Sequence, residues 1–181
     1  MRRSRALRPP RLVAQDATLS RWRSRVRIPL GVPSNSFSRN DNALSGEEPR
    51  PVDHRVVPRT IFTNPQVAVV GMTEGEAFAA GHRCWCNTFP MSLVPRAGAI
   101  RDTRGIVKMV ADERTDAVLG VSMVGQSAGE VIHEATMALR FQAKLSDFAD
   151  QLHSYPTMAG ALKISAISRF ENVEKLSCCA E

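Results

Sequence analysis

The sequence predicts an α+β domain: a small antiparallel sheet with helices packed on one side, preceded by a disordered Arg-rich segment. Three observations carry this. Strand-like runs fill the middle of the chain, among them "HRCWCNTFPM", "GIVKMVAD" and "AVLGVSMVG". The polar "ERTD" between the last two makes a hairpin, and so an antiparallel pair. The last stretch, from Ser127 onward, has helical periodicity with capping residues. Together they give helices against one face of a sheet.

Taken in order, residues 1–55 are rich in Arg, Ser and Pro, and no apolar face at either period lasts more than a few residues. Such a segment cannot bury enough surface to offset its chain entropy, so disorder is expected. It holds twelve Arg, no Lys and five acids, a net of +7 within a whole-chain charge of +6. Arg-rich, acid-poor sequence is the mark of an organellar transit peptide and also of a basic arm for nucleic acid. An extension without function, from a wrongly chosen start or a broken gene, is preferred. The use of Arg alone, where the rest of the chain uses both bases, favours that reading. Residues 56–181 are close to neutral and show no basic face suited to DNA.

From Val56, "VVPRTIFTNPQVAVVGMTEGEAFAAG" reads as an extended lead-in, a short buried strand near Gln66–Val70, and a helix. Thr73 and Glu76 form the T-x-x-E of a capping box, and Gly81 is the stop. "HRCWCNTFPM" alternates as a strand. "SAGEVIHEATMALRFQ" starts with Ser127 as N-cap and Glu130 as its capping-box partner, with Val131, Ile132, Ala135, Leu139 and Phe141 along one apolar face. Ser146 is the expected N-cap of "LSDFADQL", and Thr157, after Pro156, that of "TMAGALKISAISRF".

Several chemistries are excluded. No G-x-G-x-x-G loop follows a strand, and no P-loop, H-E-x-x-H, C-x-x-C or nucleophile elbow occurs. His54, His82, His133 and His153 lack metal-ligand spacing. The longest apolar runs are too short to span a bilayer. The four cysteines, Cys84, Cys86, Cys178 and Cys179, are not a disulfide framework, and free thiols in a cytoplasmic protein are the default. Cys84 and Cys86 share one strand face at period two. That spacing suits a soft metal, but packing is the favoured explanation. Met109, Met123, Met137 and Met158 are most simply core or dimer-interface fillers.

Three segments, "VPRTIFTNPQVAVVGMTEGEA", "VPRAGAIRDTRGIVKMVAD" and "VLGVSMVGQSAGEVIHEATMALR", resemble the C-terminal dimerisation domain of the pyridine nucleotide–disulfide oxidoreductases. The resemblance covers about residues 56–181. Members such as glutathione reductase and dihydrolipoamide dehydrogenase carry His-Pro-Thr and a later Glu, the His serving as acid/base partner of a thiol. Here "HSYPTMAGALK" puts Tyr155 at the place of that His and Gly160 at that of the Glu, while His153 stands two residues early. Tyr at this place, with the vicinal cysteines of "KLSCCAE", resembles the mercuric reductase branch.

That branch reduces Hg(II) to Hg(0) with FAD and NADPH. The resemblance implies that Cys178 and Cys179 hand Hg(II) to a redox-active cysteine pair beside the flavin of a partner subunit. It implies that Tyr155, with Pro156, lies near metal and flavin at that boundary. The chemistry is consistent, because Hg(II) is soft, prefers thiolates and favours two ligands in a line. The flavin and NADPH domains and the redox pair precede this domain in the family, whereas here an Arg-rich segment stands before it. The resemblance therefore implies a fragment able to bind metal but lacking an electron source, paired with its twin or with a full-length reductase subunit. The rival readings are a non-catalytic dimerisation or interaction module, a fragment of a dihydrolipoamide dehydrogenase-like reductase, and a nucleic-acid or membrane binder using the Arg-rich arm. The last ranks lowest.

Overall fold

The structure, a computed structural model, describes residues 53–172. The expected disorder of the N-terminal segment falls almost wholly outside them, and so do Cys178 and Cys179. Five strands form one antiparallel sheet: β1 (Arg59–Ile61), β2 (Gln66–Gly71), β3 (Cys84–Pro90), β4 (Ile106–Asp112) and β5 (Val118–Gly125). Their order is β1-β2-β5-β4-β3, which leaves β1 and β3 at the edges. The β4–β5 hairpin is the one that "ERTD" predicts, and β1 emerges from the extended lead-in.

One sheet face is the core face. Ala68 of β2 pairs with Met123 of β5, Met123 with Val107 of β4, and Val107 with Phe89 of β3. All four are buried, as are Val70, Val121 and Met109 in the next row. Burying such rows, at about 25 cal/mol per Å² of apolar surface, is the main drive for closing the sheet under its helices.

The chain has five α-helices among the described residues: α1 (Glu74–Ala79), α2 (Pro95–Ala99), α3 (Ala128–Arg140), α4 (Leu145–Asp150) and α5 (Gly160–Ile167). Helix α3 packs on β2 and β5, α5 on β3 and β4, and α4 against α5. This is the expected single helical layer. On α3, Val131, Ile132 and Ala135 are buried and Leu139 is packed against them, whereas Phe141 is exposed. The short α1 lies toward the other face, where its Glu74 meets Lys108, a β4 residue between core-facing Val107 and Met109. Helix α2, led by Pro95 at its first turn, has no counterpart in the predicted elements.

Local capping was read with mixed success. The Thr73–Glu76 capping box forms in full. Gly81, at φ +85°, closes α1: its N–H donates to Phe78 O and that of His82 to Ala77 O, the paired bonds of a Schellman stop. The second box does not form. Ser127 sits in the left-handed region at φ 59° and makes no side-chain cap bond. Gln66 Oε1, from β2, accepts from Gly129 N–H at 3.0 Å instead. Ser146 lies inside α4, which begins one residue earlier. There Lys144 is the N-cap, and its N–H donates to Asp147 Oδ2. Thr157 stands one turn ahead of α5, and its hydroxyl donates back to Ser154 O.

Candidate functional site

Tyr155 sits on the loop between α4 and α5, and the Tyr155–Pro156 peptide is cis. The ring is 70% exposed, so packing between helices does not account for it. The loop that presents it is tied down on the side that leaves α4. His153 Nε2 lies 2.9 Å from Glu134 Oε1 on α3, and the His153 side chain is only 9% exposed. Its Nδ1 faces Gln151 O at 3.4 Å. Lys163 of α5 donates from Nζ to Gln151 O at 2.6 Å. The result is an anchored loop with an aromatic ring turned to solvent.

Beside that ring lies a cleft of about 260 Å³, lined by Pro95, Tyr155, Pro156, Thr157, Gly160 and Lys163. It is smaller than the roughly 300–1,000 Å³ of a ligand pocket. Its polar lining besides the tyrosine is already engaged in part: the Thr157 hydroxyl donates to Ser154 O, and the Lys163 ammonium to Gln151 O. A cleft of this size takes the edge of a ligand held by another surface, not a whole dinucleotide. The sheet, antiparallel throughout, has no parallel strand–turn–helix unit to hold a pyrophosphate. The described residues therefore do not fit FAD or NADPH as resident groups.

The second thiol pair lies elsewhere. In β3, Cys84 pairs with Asp112 and Cys86 with Val110. Both are half-buried free thiols. They point away from the core face, to which Trp85 and Phe89 belong, so core packing does not explain them. Burial, then the carboxylates of Asp112 and Glu74, pushes the Cys84 thiol up. Burial and then Glu74 do the same for Cys86. Met109, Met123 and Met158 are core residues, as expected, whereas Met137 is 55% exposed.

The structure thus places Tyr155 and Pro156 together at the cleft. Cys178 and Cys179 lie outside the described residues. The His153–Glu134 pair escapes sequence reading because its members are nineteen residues apart, on a loop and a helix, with no shared local pattern. His82 is likewise paired, its Nδ1 2.9 Å from Asp112 Oδ2, and His133 is exposed on α3. Among the described residues no helix is long and apolar enough to cross a membrane.

An open antiparallel five-stranded sheet with its helical layer and a presented loop is the architecture found in flavoprotein disulfide reductases. The HOCl-induced flavoprotein disulfide reductase RclA from Escherichia coli, in its Cu(II) complex, superposes with a TM-score of 0.66 at 32% identity, over 72% of this chain and 30% of that one. LpdA from Mycobacterium tuberculosis superposes with a TM-score of 0.64 at 25% identity, over 72% and 28%. The family pattern described as "Pyridine nucleotide-disulphide oxidoreductase, dimerisation domain" matches residues 57–166, and the chain belongs to that family.

Among curated relatives, the chain is 43% identical to the mercuric reductase of Lysinibacillus sphaericus, over 77% of this chain and 26% of that protein. For the Staphylococcus aureus mercuric reductase the figures are 40%, 77% and 25%. A mitochondrial dihydrolipoyl dehydrogenase of Pisum sativum is 40% identical over 66% of this chain and 24% of its own length. The chain therefore spans about a quarter of the length of these relatives.

Proposed function

We propose that this chain is the dimerisation and Hg(II)-relay part of a mercuric reductase, with residues 56–181 as the working domain and residues 1–55 as an extension. The observation that carries the reading is the 43% identity to a mercuric reductase over 77% of the chain. Tyr155, exposed on an anchored loop, supports it. A ring in that setting meets a partner subunit rather than its own core. In this reading Cys178 and Cys179 capture Hg(II) as a linear dithiolate and pass it on by ligand exchange. Each transfer breaks one S–Hg bond as another forms, with no change of oxidation state. Tyr155 offers its phenol as a hydrogen-bond donor or weak oxygen ligand beside the metal. The partner is a second copy or a full-length reductase subunit, in the cytoplasm.

FAD and NADPH belong, in this reading, to the flavin-bearing part of such a reductase, and no step is assigned to either on this chain. The purified chain with added FAD and NADPH is expected to consume no NADPH when Hg(II) is added. Consumption above a protein-free control would overturn that assignment. A Cys178→Ala/Cys179→Ala change is expected to remove the tail's Hg(II) site and leave dimerisation unaltered. Loss of dimerisation in that variant would favour a purely structural tail.

The 40% identity to a dihydrolipoyl dehydrogenase favours a second reading, a dehydrogenase-like dimerisation domain. Tyr155 and the vicinal cysteines weigh against it, since that chemistry calls for an acid/base His at this place. A dehydrogenase-like domain would bind no Hg(II) through its last four residues.

A further inference from the structure

We propose that Cys84 and Cys86 form a second site for a soft cation that takes two thiolates, on the outer face of edge strand β3. This goes beyond the relay reading, because no tail residue and no residue of the Tyr155 loop takes part.

The strand places both thiols. Successive side chains alternate, so Cys84 and Cys86 share one face, while Trp85 between them packs against the core. Both are partly accessible and free. Two strand positions apart, their Cα atoms are separated by about 6.6–6.8 Å, at the upper limit for a disulfide. Glu74, whose charge bears on Cys86, is paired with Lys108, and Cys84 Sγ faces His82 O at 3.7 Å.

The class of cation follows from what is missing. Among the described residues no group of three or more His, Cys, Asp or Glu is placed to hold a metal ion. Zinc and harder ions need three or four such ligands. A d10 ion content with two sulfurs, such as Hg(II), Cu(I) or Ag(I), needs only this pair. On binding, two S–H bonds break and two metal–sulfur bonds form. Two protons leave to solvent, and no electron is transferred.

The test uses the full chain carrying Cys178→Ser/Cys179→Ser, titrated with Hg(II) in excess glutathione so that isolated thiols lose the competition. The expected result is one Hg(II) per chain. Either Cys84→Ser or Cys86→Ser alone is expected to weaken it by about 100-fold or more, since each removes the chelate. Retention of Hg(II) in both single variants overturns the site, as does loss in only one of them. X-ray absorption at the mercury edge provides a readout independent of the variants' folding. Two sulfur neighbours are expected from the protein pair, with the glutathione removed by gel filtration. A single sulfur neighbour overturns the proposal.

Discussion

His153 is the residue on which the presentation of Tyr155 depends. Its ring bridges Glu134 on α3 and Gln151 O within the loop, and both contacts are lost in His153→Ala. Removing the partner of a half-buried carboxylate is expected to cost about 1–3 kcal/mol in denaturant unfolding. Tyr155→Phe, at an exposed ring, is expected to stay within about 0.5 kcal/mol of the parent protein. A destabilised Tyr155→Phe would mean that the hydroxyl serves this domain rather than a partner. Asp112 provides a pH signature. The His82 ring first, then the Thr115 N–H, hold its carboxyl well below the usual carboxylate range. A depressed carboxylate stabilises the fold above its unfolded pKa, and that stabilisation is lost as pH falls below about 4. Thermal unfolding between about pH 5 and 2 is therefore expected to fall less steeply for Asp112→Asn than for the parent. An unchanged slope would contradict the assignment. At this scale the sequence marked Tyr155 through its motif. It could not mark His153 or Glu134, whose pairing depends on how α3 and the loop fold together.

Among the elements, strands were the most legible and helix starts the least. Strands β2 to β5 each carry their own signal, an alternation or apolar run ended by turn residues, and the β4–β5 turn is spelled out by local polar chemistry, whereas β1 reads only as an extended lead-in. Helix starts are contested by neighbours. Thr73 caps α1 because Glu76, three residues on, completes the box from the same helix turn. Ser127 holds the expected N-cap position of α3, but its hydroxyl makes no cap bond: Gln66 from the adjacent strand takes the Gly129 N–H and the serine turns left-handed. No local pattern could announce a cap supplied by another strand. Thr73→Ala is accordingly expected to cost about 1 kcal/mol, and Ser146→Ala, inside α4, less than about 0.5 kcal/mol. Equal losses in chemical denaturation would reverse the assignment of caps. Glycine sets one further constraint on the layers. A Cβ at Gly120 would lie 2.0 Å from Met72 O, so β5 and the start of α1 approach closely only because this residue has none.

For the molecule as a whole, the apolar groups left outside the core matter most. Met137 in the last turn of α3 and Phe141 at its C-cap are one turn apart, at 55% and 71% exposure, beyond the face that packs on the sheet. Large apolar side chains in such a place suit a subunit contact, as a dimerisation domain requires. Met137→Asp and Phe141→Asp together are expected to weaken self-association by at least about tenfold in sedimentation equilibrium, with the far-ultraviolet spectrum retained. An unchanged dimer would place the contact elsewhere on the surface. The family and layer architecture were legible at this scale, because they rest on extended patterns rather than single contacts. The proposed relay rests, on the sequence side, on the Tyr155 motif and the terminal cysteines alone. The most direct measurement of that relay is a titration of Hg(II), in excess glutathione, into the reduced full chain and into a version ending at Leu176. The account predicts one more ion per chain for the full chain than for the shortened one. Equal binding by the two would contradict it and leave "KLSCCAE" without a role in metal transfer.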